Sequence, residues 1–220
     1  LDASYIGKLK TTGFNLKTLA PGAGLGTFAG EIDAYGTGLR FMSMNATVKS
    51  NIDRFEFSGK TISNAIVDGQ FKKGVFEGHS SVKDNNLDMS FAGKIDFNTS
   101  EPVIDVDADI NKANLAYFGL DTGQSTVSGK INSDLKGNSI DNLVGHLNIS
   151  QLVINKSGKT YLIENTQLVA EKESNYRNIT LHSDVADVSI IGDFSIGRLP
   201  LSINNFLWNL SPDYFKYQNL

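Results

Sequence analysis

The stretch NLDMSFAGKIDFN, residues 86–98, decides the fold of this chain. From Leu87 to Phe97 every second residue is apolar or glycine, and the residues between them are polar or alanine. A period of two with such a split is typical of an extended strand that has one dry and one wet face. At about 3.3 Å per residue the strand would be about 36 Å long, well beyond the usual five or six residues. The sequence therefore predicts a long strand with one solvent-exposed face and one apolar face.

The centre of this strand, Gly-Lys-Ile-Asp at 93–96, recurs in loosened form along the chain. The copies begin at Gly7, Gly30, Gly69, Gly129, Gly145 and Gly192. In each copy the glycine and the apolar residue two positions later point the same way. Glycine inside a strand marks a bend, a bulge or a close backbone approach. Repeated on the apolar side, it predicts a sheet that curls around an apolar trough.

The rest of the chain repeats this pattern and indicates twelve to fourteen antiparallel strands, the last of them over 188–196, with a short helical turn or a kinked connector at 113–120. Residues 72–74 and 84–86 have the chemistry of hairpin turns. The parity of the apolar residues slips near Gly13, and the change of phase after Asn51 indicates a bulge or a short turn. We expect an all-β fold: a long antiparallel meander curled into a U-shaped groove, with one or two short helices, over residues 1–220 as a single unit. The three-and-four spacing at 200–210 predicts an amphipathic helix, which could cap or flank the trough.

Composition excludes several classes of function. The net charge is −4 without a block of either sign, so a nucleic-acid partner is not expected. The chain has no cysteine, which excludes disulfides and thiol nucleophiles. No apolar run is long enough to span a bilayer. The chain begins at Leu1 with strand-like sequence, and we expect it to be a piece of a longer protein.

Three groups of residues invite a chemical site, and each has a plainer interpretation. The glycine-rich loop at 19–26 lacks the lysine of a phosphate loop and continues into a strand. The aspartates at 105, 107 and 109 alternate along a strand instead of converging on a calcium ion, so a solvated outer face is favoured. Three histidines at or beside outward positions have no partner at ligand spacing, which favours surface residues: His79, His146 and His182.

No arrangement of nucleophile, acid and base is visible, and we expect neither an enzyme nor a cofactor or metal. Trp208 and Tyr214 have amphipathic rings that anchor at lipid headgroups in some proteins. A helix docked on its sheet uses the same residues, and that interpretation is favoured.

Three segments together resemble a known family. They are GKIDFNTSEPVIDVDADINKANLAYFGLD (93–121), SGKINSDLKGNSIDNLVGHLNIS (128–150) and VSIIGDFSIGRLPLSINNFLWNLSPDYF (188–215). Their order resembles the large AsmA-like proteins, in particular the TamB-type translocation and assembly module of Bacteroidota-like bacteria. The likeness covers most of the chain and is strongest from 87 to 217. The chain departs from the family in length, since family members are far longer.

The resemblance implies a periplasmic protein anchored in the inner membrane by a segment outside this sequence. Its curled sheet would carry phospholipids toward the outer membrane in a hydrophobic groove, with phospholipid acyl chains as partners and an Omp85-type barrel as a possible second partner. The family offers no catalytic residues. By alternation, the groove-lining residues would be Leu87, Met89, Phe91, Ile95, Phe97, Val127, Ile131, Leu135, Leu147, Ile149, Leu181 and Val185.

Two other hypotheses remain open at this point. The first is an assembly factor whose exposed sheet edge pairs with strands of outer-membrane client proteins. The second is a closed β-sandwich with a solid core and a purely structural role. They differ in whether the apolar faces meet a second layer of protein.

Overall fold

The computed structural model describes residues 4–18, 25–38, 40, 42–121, 123–139, 141–173 and 176–214. About 70% of the described residues lie in strands. The strands are β1 (Ser4–Asn15), β2 (Leu25–Thr37), β3 (Asn45–Phe57), β4 (Lys60–Lys72), β5 (Val75–Lys83), β6 (Leu87–Asp96), β7 (Val103–Asn114), β8 (Ser125–Lys136), β9 (Val144–Lys156), β10 (Lys159–Glu173), β11 (Tyr176–Ser183) and β12 (Asp187–Gly192). A 3₁₀ turn (Leu16–Thr18) follows β1, and a second (Ile196–Arg198) leads into helix α1 (Leu199–Leu210).

The twelve strands form one sheet in which every strand is antiparallel to its neighbour in sequence. The sheet is open and curled, so the predicted all-β meander with its groove is confirmed. The alternative of a closed sandwich is wrong, because all strands of the described residues belong to this single sheet. The side chains of the apolar face have no second sheet to pack against.

Tight turns hold the hairpins in register. The turns at Ser58–Gly59, Lys73–Gly74 and Ser157–Gly158 have two central residues with positive φ, between 47° and 79°. This is the type I′ turn, whose twist matches that of the flanking strands and which favours glycine at its second central position. The prediction of a hairpin turn at 72–74 is confirmed. At 84–86, the Asp84 side chain accepts a hydrogen bond from the Asn86 N–H (2.8 Å).

Bulges lie where the sequence changes phase. The β1–β2 register shifts between Thr11 and Phe14, which surround Gly13. In the β2–β3 pair, Gly30 lies opposite Ile52 but Ala29 lies opposite Arg54, so β3 carries one extra residue there. Both predicted irregularities are confirmed. Each bulge lets a strand continue while its side chains exchange faces.

Gly93 shows why glycine recurs on the apolar face. Its φ is 154°, and a Cβ at this position would lie 2.2 Å from the carbonyl oxygen of Asp105 in the next strand. Only a residue without a Cβ allows β6 and β7 to approach this closely. Gly93 therefore adopts a backbone conformation that other residues avoid.

Three boundaries differ from the sequence-based expectation. β6 ends at Asp96, so Phe97 lies in the connection to β7. The last strand, expected over 188–196, ends at Gly192, because Gly192 pairs with Arg177 and only Tyr176 of β11 lies beyond it. At 113–120, expected as a helical turn or a kinked connector, Ala113 and Asn114 still belong to β7, and a hydrogen-bonded turn follows in which Leu120 N donates to Leu115 O (2.8 Å). The predicted helix at 200–210 is confirmed as α1.

Candidate functional site

The strand register sorts the side chains into two faces. We call the face that carries Phe91, Gly93 and Ile95 the groove face, and the face that carries Ala92 and Lys94 the polar face. Residues directly opposite each other in neighbouring strands lie on the same face. A line of such partners therefore forms a row that runs across the whole sheet.

Two rows of the groove face cross all twelve strands without a charged residue. The first row contains Gly7, Ala34, Val48, Gly69, Gly78, Gly93, Val106, Ser133, Leu147, Leu168, Leu181 and Val188. The second contains Tyr5, Gly36, Ala46, Phe71, Phe76, Ile95, Ile104, Leu135, Gly145, Ala170, Ile179 and Ile190. A continuous apolar strip therefore follows the long axis of the sheet.

The side chains of this strip are shielded but not enclosed. In β7, groove-face residues such as Ile104 and Ile110 are half-buried, whereas Asp105, Asp107 and Asp109 on the polar face are exposed. Among the described residues, no large side chain is fully buried, and Phe28 and Phe76 are the only buried aromatic ones. A closed core would bury its Phe, Ile and Leu side chains completely. The apolar face is therefore a groove that another molecule can still cover.

Ten of the twelve predicted groove residues lie together on this face. Leu87, Met89, Phe91 and Ile95 line β6, and all four are half-buried. The other six follow in the next strands with the same partial burial: Val127, Ile131 and Leu135 in β8, Leu147 and Ile149 in β9, and Leu181 in β11. The row through Phe91 joins Ala108, Ile131 and Ile149 directly.

Phe97 and Val185 lie outside the strands that form the groove. Phe97 is in the β6–β7 connection, where its N–H donates to the carbonyl oxygen of Gly74 (2.9 Å). Val185 is in the turn between β11 and β12, with its side chain exposed. Both residues were predicted to line the groove because they continue the alternating pattern of a strand. That pattern does not apply beyond the end of the strand, where the chain turns.

The polar face has the opposite chemistry. The row next to the groove strip contains Lys8, Asp33, Lys49, Asp68, His79, Ala92, Asp107, Asn132, Asn148, Gln167, His182 and Asp187. Charges alternate in sign over its first four strands, and Lys49 lies 3.7 Å from Asp68. Further along, the Asn132 amide donates to Asp107 (2.9 Å). Cross-strand pairs of this kind satisfy part of the polar face.

One ion pair at the sheet edge shifts two pKa values. Lys8 and Lys10 both contact Glu31, with the Lys10 ammonium 3.5 Å from its carboxylate. The hydrogen bond from Lys8 lowers the pKa of Glu31 below its ordinary value. The same bond raises the pKa of Lys8. The two charged forms therefore stabilise each other at neutral pH.

A shallow depression of about 490 Å³ lies on the polar face between β5 and β9. Small side chains at Ser81, Ser90 and Ala92 explain the dip, and His79 and Lys130 are among its other lining residues. Most of its lining residues lie on the polar face, but Phe91, Ala108 and Ile131 of the groove face also line it.

Metal ligands do not converge in the part of the chain that the structure describes, where no group of three or more His, Cys, Asp or Glu residues could hold an ion. The three histidines are exposed, as predicted, and His182 contacts Asp187 across the β11–β12 pair. The aspartates of β7 lie on the polar face, spread along the strand as expected. The glycine-rich loop at 19–26 lies mostly outside the described residues.

Arg177 is a groove-face residue that sequence reasoning missed. It lies opposite Lys172 and is only 6% exposed. Its guanidinium donates to the carbonyl oxygens of Asp141 and Leu143, the latter at 3.0 Å, both in the β8–β9 connection. These bonds tie β11 to one rim of the groove, across the intervening β10. The sequence did contain a signal for its place on the groove face, because Arg177 alternates in phase with the apolar residues Ile179 and Leu181.

Helix α1 begins at this same rim. The Asp141 carboxylate accepts hydrogen bonds from the Ser195 hydroxyl (2.9 Å) and the Ile196 N–H (2.7 Å), just before the helix. The segment after β12 therefore returns toward β8 and β9, which places the start of the helix beside the groove. Trp208 is half-buried and Tyr214 is exposed, and their roles as headgroup anchors or docking residues stay predictions.

The chain was compared with protein-family models, with curated proteins and with solved structures, and no match was found in any of the three. Within the described residues, no helix has the length and apolar character needed to cross a membrane.

Proposed function

We propose that this chain is a segment of a periplasmic bridge protein, anchored in the inner membrane, whose groove conducts phospholipids between the inner and outer membranes. The single observation that carries this proposal is the uncharged, partly exposed strip that crosses all twelve strands. The resemblance to TamB-type proteins points in the same direction. The proposal assigns no catalytic group and no cofactor.

The dimensions of the strip suit acyl chains. Twelve strands about 4.8 Å apart give a strip about 53 Å long, compared with about 30 Å for the hydrocarbon core of a bilayer. Acyl chains that lie along the rows would contact only uncharged, mostly apolar side chains, while the headgroup stays in water. Each methylene taken out of water contributes about 0.8 kcal/mol. Because such contacts have no preferred direction, a lipid can slide from strand to strand.

The direct test is the lipid content of the purified protein, measured by extraction and mass spectrometry. Phe91→Asp and Ile131→Asp each place a carboxylate in the groove, and we expect both variants to stay folded and to lose co-purified phospholipid. Ala92→Asp places the same charge on the polar face and should keep the lipid. Unfolding of both groove variants, with the control folded, would contradict an open groove, since a buried unpaired charge is costly only in a closed core.

A second candidate function is supported by the edges of the sheet. Among the described strands β1 pairs only with β2, and its Ile6 lies almost fully exposed on the polar face. An assembly factor that works with an Omp85-type barrel would pair such an edge with a strand of an outer-membrane client. A peptide copied from a client strand should then bind the protein and leave its lipid content unchanged. If lipid is present and no such peptide binds, the lipid conduit is favoured.

A further inference from the structure

The groove face carries two cations side by side, just outside the uncharged strip. Arg177 of β11 lies directly opposite Lys172 of β10, and each is two positions along its strand from a residue of the strip, Ile179 or Ala170. Residues two positions apart in a strand share a face and are about 6.8 Å apart. The pair of cations is therefore one row away from the strip, at the rim formed by the β8–β9 connection.

Arg177 is buried without an anionic partner. Its guanidinium donates to two backbone carbonyl oxygens, those of Asp141 and Leu143. Its Nε is buried and has no hydrogen-bond partner in the described part of the chain. Among the described residues, no carboxylate forms an ion pair with Arg177 or with Lys172. Buried charges are usually paired, because removing them from water is costly. The site therefore offers positive charge and an unused donor to an anion.

The neighbouring strands leave space beside Arg177. Gly192 of β12 lies directly opposite it on one side, and the nearest atom that a Cβ at Gly192 would meet is in the Phe194 ring, at 3.8 Å. On the other side, the Lys172 side chain is exposed to solvent. The open position and the accessible ammonium give a ligand of the groove a place next to the buried guanidinium.

We propose that Lys172 and Arg177 bind the phosphate group of a phospholipid whose acyl chains lie in the adjacent strip. The inference rests on the proposed function and adds a fixed position for the headgroup. Arginine forms directed, charge-assisted hydrogen bonds with phosphate oxygens, and lysine adds a second positive charge. Free phosphate has the same charge chemistry, but it has no apolar part that would use the strip.

A headgroup site changes how a lipid moves along the groove. Apolar contacts with the strip are similar from strand to strand and allow a lipid to slide. Hydrogen bonds from two cations exist at one place only, beside the strip residues of β10 and β11. A phospholipid should therefore stay longer at these two strands than at the uncharged positions of the strip.

The test measures the binding of three ligands to the whole chain by isothermal titration calorimetry. The ligands are a short-chain phosphatidic acid below its micelle concentration, the diacylglycerol with the same chains, and inorganic phosphate. We expect the native chain to bind the phosphatidic acid about tenfold more tightly than the diacylglycerol, since only the former brings an anion. Inorganic phosphate should bind at least about tenfold more weakly than the phosphatidic acid, because it leaves the strip uncovered.

Two variants change the cations separately. Lys172→Glu should weaken the binding of the phosphatidic acid about tenfold and leave the affinity for the diacylglycerol unchanged, because attraction to the phosphate becomes repulsion. Arg177→Lys keeps the charge and removes the planar fork of donors, so it should weaken the same ligand about threefold. Circular dichroism shows whether each variant is folded.

The matched control is Lys72→Glu. Lys72 is exposed on the polar face at the end of β4, opposite the uncharged residues Asn45 and Val75. The control makes the same change of charge away from the groove face and should bind all three ligands like the native chain.

The outcomes separate the headgroup site from the conduit. The site is overturned, and the conduit stands, if the native chain binds phosphatidic acid and diacylglycerol equally well, or if the folded Lys172→Glu variant keeps the native affinity for phosphatidic acid. Equal affinities for inorganic phosphate and phosphatidic acid would also overturn the site, since the strip would then contribute nothing. If neither lipid binds, the conduit itself is wrong, and the headgroup site with it.

Discussion

The groove face and the polar face belong to the same strands, but their side chains differ in whether they find partners within the sheet. On the polar face, Lys8, Asp33, Lys49 and Asp68 follow each other across four strands, so each charge has an opposite neighbour. On the groove face, the two central rows carry no charge from β1 to β12 and meet no second layer among the described residues. The comparison teaches that one face pairs its charges across the strands, whereas the other offers an uncharged surface that is only partly shielded within the sheet.

The largest effect should come from the glycines that shape the groove face. Gly93 and Gly7 lie in the same row, but only Gly93 combines a positive φ with a backbone oxygen 2.2 Å from the position of a Cβ. We expect Gly93→Ala to reduce the free energy of unfolding by about 3 kcal/mol. Chemical denaturation followed by circular dichroism measures this change.

Gly7→Ala is the matched control, because its Cβ would meet no atom within 4 Å. It should be neutral or stabilise the sheet by about 0.5 kcal/mol, since alanine loses less conformational entropy on folding. Equal costs at both positions would mean that the close approach of β6 and β7 at Gly93 does not require glycine.

The second prediction concerns Arg177, whose hydrogen bonds tie β11 to the β8–β9 connection at one rim of the groove. Arg177→Gln leaves the carbonyl oxygens of Asp141 and Leu143 without their donor and should cost about 2 kcal/mol. Lys172→Gln, at the exposed residue directly opposite, should change stability by less than about 0.5 kcal/mol. Thermal unfolding distinguishes the two. A similar loss of stability in both variants would indicate that positive charge, and not the hydrogen bonds of Arg177, stabilises this rim of the groove.

The third prediction compares the two faces with one residue type. Ala108 is half-buried on the groove face, whereas Ala92 is exposed on the polar face. Ala108→Asp should lower the affinity for an apolar fluorescent probe about tenfold, because the new carboxylate must be desolvated when the probe binds. Ala92→Asp should bind the probe like the native chain. If the two variants bind equally well, the probe does not occupy the groove.

The smallest effect should be found on the polar face. The pKa of Glu31 is lowered by Lys8, so its contribution to stability is present above the unfolded-state pKa and is lost as the pH falls through the folded-state pKa. Glu31→Gln should therefore lower the stability slightly at neutral pH, where the exposed ion pair is intact, and leave it unchanged at pH values below the folded-state pKa. Unfolding curves at a series of acidic pH values test it, and an unchanged pH profile would contradict the assignment.

Much of the fold could be predicted because its signals are local. The alternation in β6 identifies its groove-face residues, and the phase changes near Gly13 and Asn51 mark true bulges. Ten groove residues follow from the same rule. The rule fails at Phe97 and Val185, since alternation carries no information about where a strand ends.

Other features depend on distant parts of the chain. The end of β12 is decided by how much of β11 remains to pair with it. Arg177 finds its partners 34 and 36 residues away, in a connection two strands distant. Neither the end of β12 nor the partners of Arg177 can be read from a short window of sequence, because both depend on how the sheet curls.

The strict order of the strands, each beside its neighbour in sequence, gives the molecule the character of a repeat protein. Stability in such arrays is close to a sum of contributions from adjacent units, and folding can spread from any stable hairpin. Adding or deleting one hairpin would change the length of the sheet and leave both faces in phase. Evolution can therefore adjust the span of such a protein in steps of two strands, about 10 Å at a time.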